Sequence, residues 1–243
     1  LIISEMPNDW FQFREFLVRQ DRTAMKVGTD GVLLGAWAGS DSARQVLDIG
    51  TGTGLVAIML AQRNPLAAIT AIEIDHDSAG QAAENAARSR WASRIEVVEA
   101  DFRTWTPDPE VHFDLIVCNP PYFSRSLKNP DDQKADARHD HRLPLEQLIE
   151  RAGGFLAGNG VLALILPFAR VGEAMAKAAN CGLFLNREMR IRGHAGVPVK
   201  RVLLEWSRLQ AEVRSGEMIL ETDARGKFSD EYRELTDQFY LPR

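Results

Sequence analysis

Cysteine is scarce: Cys118 and Cys181 are the two in 243 residues, too few for a disulfide framework or a four-sulfur zinc site. Long apolar runs are missing too. No stretch approaches the roughly 18 residues of a membrane-spanning helix, and Leu1 to Trp10 lacks the charged-then-apolar pattern of a signal peptide. Nor is positive charge in excess. Lys and Arg number 29 against 34 Asp and Glu, a formal net charge of −5, which argues against a surface made generally cationic to coat nucleic acid. Histidine is sparse as well, with 5 in the chain. His139-Asp140-His141 finds no third ligand at matching spacing, so no metal is expected. These absences point to a protein of the reducing cytoplasm, without membrane attachment and expected to be a monomer. The first residue is Leu1 rather than methionine, so a few native residues are expected to precede it.

What is present is core material. Hydrophobic residues make up 45% of the chain, and a chain of this size buries roughly 70 to 75% of its unfolded surface. From Gln45 to Trp206, short β-branched runs alternate with stretches of helical spacing, the pattern of an α/β fold with a mostly parallel sheet. Seven strands are expected: Gln45 to Ile49, Ala68 to Ile74, Ile95 to Ala100, Phe113 to Cys118, Gly160 to Leu166, Phe184 to Ile191 and Arg201 to Ser207. Helices are expected over Gly54 to Arg63, His76 to Ser89, Leu145 to Leu156 and Val171 to Cys181, separating the first five strands. The Gly193 to Pro198 link is too short for a parallel crossover, so the last two strands should form an antiparallel terminal hairpin.

Outside this core, Trp10 to Ala38 carries aromatic and aliphatic groups that must pack on something, with Val27 to Gly31 read as a turn. Ser229 to Tyr240 reads as a short helix capped by Ser229. Ser124 to Arg142 is expected to be the least ordered part. Arg187, Arg190, Arg192, Lys200 and Arg201 form a local cationic patch that meets only Glu188, while the acids of Glu217 to Asp237 are expected to be segregated from it in the tail. A single domain over 1–243 is expected, with 1–44 as an N-terminal extension on the ligand side, 45–207 as the core and 208–243 as a tail.

The first strand enters Asp48-Ile49-Gly50-Thr51-Gly52-Thr53-Gly54, where glycines let a ligand approach the backbone. The spacing is G-x-G-x-G and not the G-x-G-x-x-G that cradles a dinucleotide pyrophosphate, which disfavours an NAD-dependent oxidoreductase. A ligand with an amino acid end, an adenosine end and no phosphate suits it, with Asp48 near the ammonium. S-adenosyl-L-methionine has that shape. Glu73, at the end of the second strand, is placed to accept hydrogen bonds from both ribose hydroxyls. Asp101, at the end of the third, suits an adenine amine, and Phe102 offers it a backbone N–H and a flat face; Asp75 reads as a helix cap.

The fourth strand runs straight into Asn119-Pro120-Pro121-Tyr122. Two prolines fix φ and remove two N–H donors, leaving carbonyls free to face a pocket. The Asn119 side-chain oxygen and the Pro120 carbonyl together suit the two hydrogens of a planar NH2 group, and Tyr122 a stacked flat substrate. Cys118 reads as a packed thiol.

Asp48 to Gly54, Glu73, Asp101 and Asn119 to Tyr122 resemble the motifs of class I S-adenosylmethionine-dependent methyltransferases with an Asn-Pro-Pro-Tyr signature, whose fold is Rossmann-like. Phe13 to Trp37, Ala135 to His139, Arg201 to Leu204 and Ser229 to Leu241 extend the resemblance to the bacterial tRNA1(Val) adenine-N6 methyltransferases over nearly the full length. That resemblance implies methylation of adenosine 37 beside the anticodon of one valine tRNA, with Thr29 and Asp30 in a loop near the cofactor. Pro121, Tyr122, Phe123, Arg138, Arg190, Arg192, Lys200 and Arg201 are the residues expected to face that tRNA. The same tetrapeptide also serves protein glutamine amides and DNA or rRNA adenines, and a non-catalytic RNA-binding module is the alternative of a different class.

Overall fold

A computed structural model describes residues 9–23, 25–39, 41–121, 143–222 and 227–242. Tyr122, Phe123, Arg138, the 124–142 stretch and His139-Asp140-His141 lie outside the described residues. The chain opens with a two-stranded antiparallel ribbon, β1 (Trp10–Gln12) and β2 (Leu17–Arg19), followed by α1 (Thr29–Trp37). The alternating core follows as β3 (Gln45–Ile49), α2 (Leu55–Arg63), β4 (Ala68–Glu73), α3 (His76–Arg88), β5 (Ile95–Glu99) and β6 (Phe113–Cys118). Then come α4 (Leu145–Phe155), β7 (Leu156–Pro167), α5 (Val171–Asn180), β8 (Phe184–His194), β9 (Arg201–Ser207), β10 (Arg214–Glu221) and α6 (Asp230–Thr236).

Eight strands form the main sheet in the order β10-β8-β9-β7-β6-β3-β4-β5. β9 runs antiparallel to both neighbours, β7 and β8, and the other pairs are parallel. The α/β class, the mostly parallel sheet and the antiparallel β8–β9 hairpin are therefore as expected. From β3 the chain winds outward through β4 and β5, then returns to β6 on the other side of β3. The carboxyl ends of β3 and β6 thus flank a topological switch point, where ligands of open α/β sheets bind.

Period-two alternation sorts the strands between two cores. Val46, Leu115, Val117, Ala163, Ile165 and Leu203 face α1, α2 and α6 through Leu34, Leu60 and Tyr232. Leu47, Ile116, Leu162, Leu164, Val202 and Leu204 face α4 and α5 through Leu148, Ile149 and Ala174. Strands buried on both faces in this way read as continuous apolar runs, which is why they were legible. A third cluster stacks Phe13 on Phe16, with ring centroids 4.6 Å apart, against Ile58 and Phe239. It fastens the N-terminal ribbon to α2 and the chain end. No helix among the described residues is long and apolar enough to cross a membrane.

Four expectations are corrected. The sheet has eight strands rather than seven, because β10, placed by sequence in the tail, pairs with β8 along the edge. An edge strand buries little, and of its eight residues Met218 alone is buried, so the apolar alternation that marks a strand is nearly absent. Thr29, Asp30 and Gly31 begin α1 and are not a turn; every residue from Gly31 to Trp37 is buried. A helix apolar on all sides has no amphipathic stripe to announce it. The β5–β6 crossover, 100–112, contains turns and no helix. Finally, the C-terminal helix stops at Thr236, although Ser229 is its N-cap, accepting the Tyr232 N–H at 3.1 Å.

Candidate active site

The loop after β3 is shaped by backbone geometry that side chains resist. Gly50, Gly52 and Gly54 have φ of 69°, 58° and 80°, the left-handed region in which a Cβ is strained. Around Gly50 and Gly52 nothing lies within 4 Å of where a Cβ would sit, whereas at Gly54 it would meet the Ala82 carbonyl oxygen at 3.4 Å. The first two glycines leave open space beside the loop, and the third lets α3 pack closely.

Neighbouring strand ends hold this loop. The Gly50 and Thr51 N–H groups donate to the Ile72 carbonyl at 2.9 and 3.0 Å. Gly52 N–H donates to Glu73 Oε2 at 2.9 Å, while Glu73 Oε1 accepts from the N–H groups of Ile74 at 2.9 Å and Asp75 at 3.1 Å. Glu73 is buried and is thus fixed at the lip of the glycine loop. Asp75 caps α3 through the Ser78 N–H at 2.9 Å, the role read for it. Sequence reasoning missed Asn85, whose Nδ2 donates to the Thr53 carbonyl at 2.9 Å and to Arg19 O at 2.8 Å, while its Oδ1 accepts from Arg19 N–H at 2.9 Å. One buried amide joins the glycine loop to the N-terminal ribbon. An asparagine among the alanines of α3 was its sequence signal.

Asp48 is 2% exposed and accepts the Thr51 hydroxyl at 2.6 Å. Burial pushes its pKa up from 3.8 to about 7; the Thr51 hydroxyl and the Ala57 N–H oppose that rise and the charge of Glu73 adds to it. The neighbouring Cys118 thiol is also raised well above its ordinary value, by burial first and then by Asp48 and Glu73. A thiol held protonated is a packing group, not a nucleophile.

Asp101 lies past the end of β5, with its carboxylate taken by Arg103: Oδ1 accepts the backbone N–H at 2.9 Å and Oδ2 meets the guanidinium at 2.7 Å. Phe102 does not present a flat face. Its ring is 4% exposed, edge-on to Phe155 with centroids 6.0 Å apart and under the Arg151 guanidinium, because the α4 side of the sheet needs that apolar surface.

Asn119 follows Cys118, which lies level with Ile49 across the β3–β6 pair, so it emerges beside Gly50. It is half-buried, Pro120 is buried and Pro121 is exposed. The Asn119 carboxamide forms no hydrogen bond among the described residues, so its oxygen remains available to a ligand. Glycine loop, Glu73 and Asn119 are thereby brought to one sheet edge.

Thr29 and Asp30 lie further along that edge, in the first turn of α1. Asp30 Oδ2 accepts from Arg201 Nε at 2.7 Å, and the two residues line a cavity of about 170 Å³ with Lys200 and Arg201. The cationic patch is not set apart from the tail's acids. Arg192 Nε donates to Glu217 of β10 at 2.7 Å, Arg190 pairs with Glu188, and Arg187 reaches Glu205 at 3.6 Å. Strand pairing of β10 with β8 delivers Glu217 where sequence distance had put it elsewhere. Among the described residues no three His, Cys, Asp or Glu side chains converge as a metal site.

Residues 28–178 match the Methyltransferase small domain family. Among solved structures, the fold is similar to that of a protein described as a predicted O-methyltransferase from Agrobacterium tumefaciens, with a TM-score of 0.66 and 24% identity, over 88% of this chain and 99% of that one. It is similar also to a ribosomal protein L11 methylase from Lactobacillus delbrueckii subsp. bulgaricus, with a TM-score of 0.58 and 19% identity, over 79% and 84%. In sequence, the chain is 45% identical over 237 residues to the tRNA1(Val) (adenine(37)-N6)-methyltransferase of Bacteroides fragilis, covering 97% of this chain and 99% of the relative. It is 43% identical over 235 residues to that of Aeromonas hydrophila, covering 96% and 98%. With such identity sustained over almost the whole of both chains, and with the motif residues gathered at one switch point, the protein belongs to the tRNA1(Val) (adenine(37)-N6)-methyltransferase family.

Proposed function

We infer that this protein methylates the exocyclic N6 amine of adenosine 37 in the anticodon loop of tRNA1(Val), using S-adenosyl-L-methionine, as a cytoplasmic enzyme. The observation that carries the reading is the juxtaposition of Asn119, with its unengaged carboxamide, and the Gly50–Gly54 loop across one strand pair.

The residues present suit the cofactor. Gly50 and Gly52 leave room that a Cβ would fill, and two buried carboxylates, Asp48 and Glu73, stand beside it. Asp48 would meet the ammonium, Glu73 the ribose hydroxyls, and Asp101 with the Phe102 N–H the adenine, with Thr29 and Asp30 near the cofactor. When bound, S-adenosylmethionine supplies an electrophilic methyl group on a sulfonium.

The chain's own work is positioning. Asn119 Oδ1 and the Pro120 carbonyl accept the two hydrogens of the adenine amine, aiming acceptors at the positive charge that develops on nitrogen. The methyl carbon would pass from the sulfonium sulfur to adenine N6 in line, the C–S bond breaking to leave S-adenosylhomocysteine, and the methylated nitrogen would then release its extra proton readily, so no strong general base is demanded. The target base leaves the loop stack to reach this corner; Pro121, Tyr122 and Phe123 are its proposed contacts, Tyr122 replacing part of the lost stacking. Arg138, Arg190, Arg192, Lys200 and Arg201 are the proposed cationic contacts to the tRNA backbone.

Incubating total tRNA that lacks its native modifications with labelled cofactor, then analysing nucleosides, tests the reading. N6-methyladenosine confined to tRNA1(Val) is the expected result. Label in a protein glutamine, in DNA or in rRNA instead would replace the acceptor while keeping the chemistry.

A further inference from the structure

The carboxyl edge of the sheet is divided in character about Asn119. On one side, the ends of β4 and β5 carry the carboxylates Glu73, Asp75, Glu99 and Asp101, of which Asp101 is paired with Arg103 and Glu99 with His76, so acids outnumber cations there and phosphate is disfavoured. On the other side, β7 leaves the sheet at Pro167, whose register partner is Arg201, and the next residue, Phe168, is 50% exposed. Phe168 joins none of the three apolar core clusters. The Phe168 N–H donates to the Lys200 carbonyl at 3.1 Å, which sets the backbones of the two residues side by side, and Lys200 is exposed and unpaired among the described residues. Cys118 is level with Leu164, so Asn119 is level with Ile165. One strand spacing and three residues of rise put Phe168 on the order of 10 Å from the Asn119 backbone.

We propose that Phe168 is a nucleobase-stacking residue for the RNA substrate, with Lys200 beside it as a phosphate contact. The inference rests on the tRNA-methylation reading and adds to it the side of the edge from which RNA enters. An exposed aromatic next to a cation is the combination that holds single-stranded nucleic acid, since every base has a face to stack and every nucleotide a charge to neutralise. An unpaired anticodon loop offers both. The base held by Phe168 is not the one held at Asn119, because the distance separates them; it belongs to a nucleotide flanking the target. Stacking there anchors the loop while the target base is turned into the corner.

The test uses the full chain, an anticodon stem–loop transcript of tRNA1(Val), and Phe168→Ala, Phe168→Leu and Phe168→Trp. Phe168→Ala should raise the KM for the RNA about ten-fold, or more, with S-adenosylhomocysteine affinity unchanged. Phe168→Leu should be nearly as poor, since it restores apolar bulk without a ring face, and Phe168→Trp should match the parent. Lys200→Ala should weaken binding and flatten the salt dependence by roughly 0.7 in the log–log slope. An unaltered KM in Phe168→Ala, or full rescue by leucine, would overturn the stacking role while leaving the methylation reading intact. If the parent binds S-adenosylhomocysteine but methylates no tRNA, both fall together.

Discussion

Glu73 and Gly52 are joined by a 2.9 Å hydrogen bond from backbone N–H to carboxylate, so the acid proposed to hold the ribose also fixes the loop that receives the cofactor. Glu73→Ala should therefore cost twice, through the lost ligand contact and through a loosened glycine loop. A hydrogen bond to a charged group contributes about 1.5–3 kcal/mol, so S-adenosylhomocysteine binding measured by calorimetry should weaken about 10- to 100-fold. Glu73→Gln, which keeps one acceptor oxygen, should fall between. Wild-type affinity in Glu73→Ala would remove this residue from the cofactor site.

Asn119 separates binding from chemistry. Its side chain is proposed to touch the acceptor amine, so Asn119→Ala should lower kcat by roughly 100-fold or more, the usual cost of removing one preorganised polar group from a transition state. Calorimetric affinity for S-adenosylhomocysteine should stay near that of the parent. Parallel loss of turnover and cofactor affinity would show that the residue supports the fold of the pocket instead.

Asp48 predicts a pH dependence of definite sign. Its folded pKa of about 7 lies above the ordinary 3.8, so between those values the unfolded chain has lost the proton that the folded chain keeps. Stability then falls as pH rises from about 4 to 7 and levels off above, by an amount on the order of 4 kcal/mol from this group. Asp48→Asn should remove that slope in denaturant titrations at stepped pH. A cationic ammonium arriving beside Asp48 favours its ionised form, so cofactor binding near pH 7 should release a proton. Calorimetry in buffers of different ionisation enthalpy would detect it, and equal heats after buffer correction to zero protons would refute the contact.

The Arg192–Glu217 pair restrains a cation at the edge proposed to meet RNA. Glu217→Gln should remove its countercharge and leave the guanidinium held by the Val197 carbonyl, which Nη1 meets at 2.6 Å. Affinity for tRNA should rise modestly, and its salt dependence should steepen by roughly 0.7 to 0.9 in the log–log slope, one phosphate contact's worth. Stability should barely change, because exposed ion pairs contribute little. A flat response would place Arg192 outside the RNA footprint.

The parts of the site legible in the sequence are those whose chemistry is carried by short, contiguous runs. Asp48 to Gly54 need strained backbone, Asn119 to Pro121 need rigid carbonyls, and Glu73 needs only the end of its strand; each requirement is met by residue type at fixed spacing. Phe102 was misjudged because a strand-end aromatic serves a ligand or a core equally well until the far side of the sheet is known, and α4 supplied Phe155 and Arg151 to cover it.

By itself the sequence determined the alternating α/β order, the two-faced burial of the strands and the glycine and proline corners, because periodicity and backbone preference are local properties. Tertiary structure decided what depends on contacts between distant segments. It set β10 against β8, brought Glu217 to Arg192 and Asp30 to Arg201, buried α1 on every side, tied Thr53 to Arg19 through Asn85, and left Phe168 open beside Lys200. Charge pairing and exposure follow from which surfaces meet, and residues far apart along the chain meet only once the sheet is assembled.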